Sequence, residues 1–133
     1  MTRTKHILIP ISPGELLDKI TILEIKSERI ANAAKLRHVR DELAVLRAAG
    51  EPAWATSEPL RELTARLRAV NEALWEIEDA IRLCERDQDF GPRFIELARS
   101  VYRQNDQRAA LKRRINELLG SELVEEKDYQ AYE

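Results

Sequence analysis

Leu60, Leu63, Leu67, Val70, Leu74, Ile77, Ile81 and Cys84 alternate steps of three and four residues. A period near 3.5 places them along one side of an α-helix, whereas a half-buried strand would alternate every second residue. Ser57, Glu58 and Pro59 supply a helix start ahead of this seam, and "DQDFGP" at 87–92 supplies a stop, so the helix is expected to run from about 58 to 86. A seam of this length needs a partner surface of similar length. The rest of the chain offers helices to provide it.

"SPGE" at 12–15 places Ser12 at an N-cap, Pro13 at the first helical position and Glu15 three residues after the cap, the arrangement of a capping box. From Glu15 to Ala49 there is neither Pro nor Gly, and Gly50 with Pro52 ends the run. One helix over about 13–49 would span roughly 54 Å at 1.5 Å per residue, and a break near Asn32 would shorten it. A third helix starts at Pro92, carries Phe94, Leu97, Ala98, Val101, Leu111, Ile115, Leu118 and Leu119 inward, and stops before Gly120. Ser121 to Glu126 is expected to add a short helical turn.

Long helical segments with short connections predict an all-α fold, an antiparallel three-helix bundle with coiled-coil-like helices. The 133 residues suit a single domain, with an extended arm at 5–11, helices at about 13–49, 58–86 and 92–119, and a C-terminal segment at 121–133. In the arm, "HILIPI" reads as a strand with Ile7, Ile9 and Ile11 on one face, but no second strand is legible to pair with it. It either docks on its own bundle or pairs with a second copy.

The net charge of −2, with both signs interspersed, gives no bulk attraction to nucleic acid or to an anionic membrane. The longest apolar run, Ile7 to Ile11, is too short to span a bilayer or to serve as a secretory core, so a cytoplasmic protein without membrane insertion is expected. Cys84 is the only cysteine, which excludes an internal disulfide; its place on the seam marks it as a packing residue. Trp54, in "GEPAWATSEP", reads as a cap over the end of the bundle.

Beside the seam, Asn71, Trp75, Glu78, Arg82 and Glu85 form a second stripe about 100° around the helix axis. Folding the first two long helices as a hairpin sets Arg29 opposite Glu78 and brings Glu24 or Glu28 near Arg82. Folding the last two as a hairpin brings Asn71 near Arg108 and Trp75 near Asn105. The stripe admits two readings. It is a polar layer fixing register, or Glu24, Arg29, Asn71, Trp75, Glu78, Arg82, Asn105 and Arg108 surround a cleft for a small anionic ligand, with Arg82 and Arg108 as clamps and Glu78 as an acid or base. Glu15 with Asp18, and Glu76 with Asp79, have the spacing of magnesium ligands on one helix face. With 24 acidic residues, about four such pairs arise by chance. No His or Cys spacing suggests a metal, and no cofactor is expected.

"ISPGELLDKITILEIKSERI" at 11–30, "VNEALWEIEDAIR" at 70–82, "FIELARSVYRQNDQRAALKRRIN" at 94–116 and "GSELVEEKDY" at 120–129 together resemble an uncharacterised bacterial family of small helical proteins, a domain of unknown function. The resemblance implies no established activity or catalytic residue. It implies a context of surface-glycan biosynthesis, with a glycan or nucleotide-sugar as ligand, whereas phosphates and carboxylates are the classes that the arginine forks of the stripe would suit. The expectation is a self-associating binding or assembly protein rather than an enzyme, with homodimerisation through the arm or helix faces. The alternative is a small anionic-ligand binding protein or enzyme using the stripe.

Overall fold

The computed structural model describes residues 6–133, so Lys5 of the expected arm lies outside it. The chain is all-helical: α1 Pro13–Arg29, α2 Ala33–Ala49, a 3₁₀ turn Pro52–Thr56, α3 Glu58–Arg86 and α4 Pro92–Leu118. The expected long first helix is therefore two helices, and the described residues contain four α-helices rather than three. Ile30 ends α1 in extended conformation, and Asn32 restarts the chain by accepting the Lys35 N–H at 3.0 Å, an N-cap that competes with helix continuation. Among the described residues α2 folds back along α1 and packs on no other helix, whereas α1 packs against α2, α3 and α4.

That break changes the directions of the helices. Glu15 meets Lys112 and Asp18 meets Arg108, so α1 runs against α4. Glu24 and Glu28 meet Arg68 while Arg29 meets Glu76, so α1 runs alongside α3 in the same direction. The expected hairpin between the first helix and α3 is thus replaced by a parallel pair, and the facing positions shift with it.

The boundaries follow local chemistry. Ser12 Oγ accepts the Glu15 N–H at 3.1 Å, but the Glu15 carboxylate turns away to Lys112 and Lys19, so only half of the capping box forms. Ser57 caps α3 through Leu60 N–H. At the end of α4, Gly120 adopts φ 66°, with Ser121 N–H bonded to Asn116 O at 2.8 Å and Gly120 N–H to Glu117 O at 3.3 Å. This Schellman arrangement turns the chain out of the helix, and no helical turn follows among the described residues, contrary to the expectation for Ser121–Glu126. α3 ends the same way, with Gln88 rather than Gly at φ 54°.

The core joins Leu16, Leu17, Ile20 and Leu23 of α1, Val39 and Leu43 of α2, Leu60, Leu63, Leu67 and Val70 of α3, and Leu111 and Ile115 of α4. Trp54 packs on its edge, as a cap. The α3 seam is buried to Val70 and again at Cys84, while Leu74, Ile77 and Ile81 are half-buried. The difference is one of length: α3 and α4 have 29 and 27 residues against 17 for α1. Their far ends extend beyond α1 and cover only each other, leaving Leu83, Phe90 and Ile95 exposed. Leu118 and Ala98, expected inside, are also exposed.

Candidate functional site

In the α1 sequence, Gly14, Asp18, Thr21 and Ile25 recur in steps of four, three and four, a stripe that faces inward along its whole length. On α4, Arg108, Lys112 and Asn116 recur in steps of four. Because α1 and α4 run in opposite directions, the two stripes meet. Asp18, only 1% exposed, accepts Arg108 Nε–H at Oδ1 at 2.9 Å and Arg108 Nη2–H at Oδ2. Asn71 of α3 donates to the same Oδ1 at 2.9 Å and lies 3.0 Å from Thr21 Oγ1, which donates in turn to Asp18 O at 2.8 Å. A charge buried this far must be paired, and three helices supply the partners.

Lys112 extends the network toward solvent. Its Nζ donates to Glu15 Oε2 at 2.7 Å and Glu125 Oε2 at 2.8 Å and lies 3.9 Å from Asp18 Oδ2. Burial by itself pushes the ammonium down, but the hydrogen bonds it donates to Glu125 and Glu15 and the nearby Asp18 charge outweigh it, and its pKa is raised. The same Lys112 bond, with a second from Lys127, holds Glu125 far below the usual carboxylate range, at about 2. The Asp18 hydrogen bond raises Arg108. At the near end of α1, Asn116 Oδ1 accepts Gly14 N–H at 2.7 Å. A Cβ at Gly14 would lie 2.5 Å from Lys112 O, so the glycine is what lets the two helices approach.

Above this layer lies a cleft of about 560 Å³, walled by Pro10 to Ser12, by Asn105, Arg108, Ala109 and Lys112 of α4, and by the C-terminal tail at Leu123 to Glu125 and Lys127. On the other side of residues 11–13 a larger apolar groove of about 780 Å³ runs between the arm and α2, with Val45, Leu46, Ala49 and Trp54 in its wall and Asp41, Glu42 and Glu51 at its rim.

The stripe residues expected to form one site are spread over several places. Asn71 and Arg108 converge on Asp18, as the α3/α4 hairpin required. Asn105 reaches the same cleft, its Nδ2 donating to Val101 O at 3.0 Å. Glu24 lies elsewhere, with Arg47 at 2.7 Å and Arg68 at 3.6 Å; Arg68 also holds Glu28, which corrects the expected approach of Glu24 or Glu28 to Arg82. Arg29 pairs with Glu76 rather than Glu78 and lies 6.0 Å from the Trp75 ring centre. Among the described residues Glu78 and Arg82 pair only with each other, at 3.0 Å, with their side chains 56% and 75% exposed. The parallel course of α1 and α3 accounts for these differences.

Three residues central to the network, Asp18, Lys112 and Asn116, were outside the expected site, as were Glu15 and Glu125. Their signal was present as the matched polar stripes on α1 and α4. Both carboxylates of the Glu15–Asp18 pair are engaged by cations, and Glu76 of the second pair by Arg29. Among the described residues no group of three or more His, Cys, Asp or Glu side chains is placed to hold a metal, and no helix is long and apolar enough to cross a membrane.

The model of a family of unknown function, DUF6165, matches residues 7–132. The chain belongs to this family. The match covers both the helices and the tail of this DUF6165 protein, so Glu125 and the arm from Ile7 onward are part of the family domain. No curated protein and no solved structure matches the chain.

Proposed function

We propose that this DUF6165 protein is a non-enzymatic assembly module that associates with a second copy of itself through the arm at 6–10 and the groove beside it. The observation that carries the reading is the exposure of three consecutive apolar residues: Ile7 at 88%, Leu8 at 91% and Ile9 at 69%. Single exposed apolar residues are ordinary, but a run beside an apolar groove leaves a continuous surface in water that association removes. Among the described residues the backbone groups of this segment make no hydrogen bond, so they are free to pair with another strand.

A second copy is the occupant that fits. An antiparallel pair of identical arms is isologous, satisfying both backbones with the same residues, and Pro10 limits the ladder to a few bonds. Each copy also brings a groove beside the paired arms. Its rim is acidic, at Asp41, Glu42 and Glu51, and the sequence leading into Ile7 is basic, with Arg3 and Lys5. The steps of three and four in the α3 seam also fit coiled-coil packing against α4, while the groove itself is carried by α1, on which α2 packs. The surface-glycan context rests on the family resemblance alone and enters only as the setting in which such a module would serve.

Amide hydrogen exchange tests the pairing. Ile7, Leu8 and Ile9 amides of the full chain are expected to be protected in concentrated solution and to lose protection on dilution or in Leu8→Asp. Fast exchange at all concentrations contradicts the proposal.

A further inference from the structure

The polar cleft contains donors that the protein does not use. Arg108 spends its Nε–H and one Nη2–H on Asp18, and its Nη1 hydrogens have no acceptor among the described residues. Ser12 Oγ accepts the Glu15 N–H, and among the described residues its own hydrogen has no acceptor; the side chain is buried and lines the cleft. Lys112, also buried, reaches toward the same space, and one of its strong bonds goes to a carboxylate that the tail supplies.

That tail is weakly built. After Ser121 bonds back to α4, the described residues make no backbone hydrogen bond to the helices, and all from Glu122 to Glu133 are exposed. Side chains alone hold the tail: Glu125 on Lys112, Glu126 on Arg113 at 3.4 Å, and Tyr132 donating to Asp106 at 2.7 Å while its ring meets Tyr102 edge-on. Segments with so few buried contacts open at low cost. When the tail lifts, Lys112 keeps Glu15 and is left with an open donor beside the free edge of Arg108.

We propose that this cleft binds a small carboxylate-bearing molecule, whose carboxylate takes the place of Glu125 on Lys112 and the free edge of Arg108. The ligand class follows from the group it displaces: Glu125 is a carboxylate on a short apolar stem, and Pro10, Ile11 and Ala109, which stay in the wall when the tail lifts, offer contact for an aliphatic body. Asp18 does not compete, because its oxygens are filled from the inner side by Asn71 and the other edge of Arg108. Glu125 acts as an internal competitor that lowers the apparent affinity by the fraction of time it leaves the site empty.

Calorimetric titration of the full chain with glutarate tests this against Glu125→Gln and Glu126→Gln. If the tail covers the site nine-tenths of the time, Glu125→Gln binds glutarate about tenfold more tightly than the unaltered chain, and Glu126→Gln matches the unaltered chain. Equal affinity of Glu125→Gln and the unaltered chain overturns the proposal, as does absence of binding by both. An equal gain in Glu126→Gln would assign the effect to net charge and overturn it as well. Inorganic phosphate binding Glu125→Gln more tightly than glutarate overturns the ligand class.

Discussion

Arg108 grips Asp18 from 90 residues away in sequence with two prongs, Nε to Oδ1 at 2.9 Å and Nη2 to Oδ2, while Asn71 approaches the same Oδ1 from a third helix. Replacing Asp18 by Ala leaves the guanidinium and the amide without their shared acceptor. The expected loss is about 3 to 5 kcal/mol, read by urea denaturation. Arg82→Ala, which breaks an exposed pair within one helix, is expected to change stability by no more than about 0.5 kcal/mol. Similar costs for the two substitutions would contradict the placement of the buried layer.

Gly14 sets the spacing of α1 and α4. A methyl group there meets the Lys112 carbonyl oxygen at 2.5 Å and Asn116 Oδ1 at 2.9 Å, and the first of these is backbone that moves only with its helix. Gly14→Ala should therefore lower stability by about 1 to 3 kcal/mol, although alanine is the better helix former. An increase in stability would show that the helices are not in contact at this point.

Gln88 occupies the left-handed position that closes α3, at φ 54°. A side chain costs about 1 to 2 kcal/mol in that region, and glycine avoids the cost at the expense of a more flexible unfolded chain. Gln88→Gly is expected to stabilise the protein by about 0.5 to 1 kcal/mol, measured as a higher urea midpoint with the same slope.

Tail docking should depend on acid. Glu125 falls from an ordinary value of 4.5 to about 2 when it meets Lys112 and Lys127, so its contribution is complete above the ordinary value and is lost as the pH drops from there through about 2. Lys112 is raised above 10.5, so its contribution is present below that value and disappears as the pH rises through the raised one. Carboxyl-carbon NMR of Glu125 is expected to show the depressed titration, and Lys112→Gln to move it back toward 4.5. An ordinary titration in the unaltered chain would place the tail away from Lys112.

Much of the fold was legible because helix ends are written locally. Ser12, Ser57, Pro92 and Gly120 mark boundaries by what their own side chains or missing Cβ can do, and the α3 seam announces its buried side. Asn32 carried the signal of a break, but whether a capping residue interrupts a helix depends on what the following segment can pack against, here the far side of α1. The candidate site was less legible for that reason. Once α2 turns back, α1 runs parallel to α3, and Arg29 meets Glu76 rather than Glu78. The pairing of Asn71 with Arg108 through Asp18 survived because it depends only on the α3/α4 hairpin. Asp18 itself looked like one acid among many; only its stripe with Gly14 and Thr21, set against Arg108 and Lys112, distinguishes it.

Sedimentation equilibrium of the full chain across a hundredfold range of concentration tests self-association through the arm most directly. The account predicts a mass rising from the 15.4 kDa of one chain toward twice that value, and a single-chain mass throughout for Leu8→Asp. A single-chain mass at every concentration for the unaltered protein would contradict it, as would a Leu8→Asp variant that associates equally well.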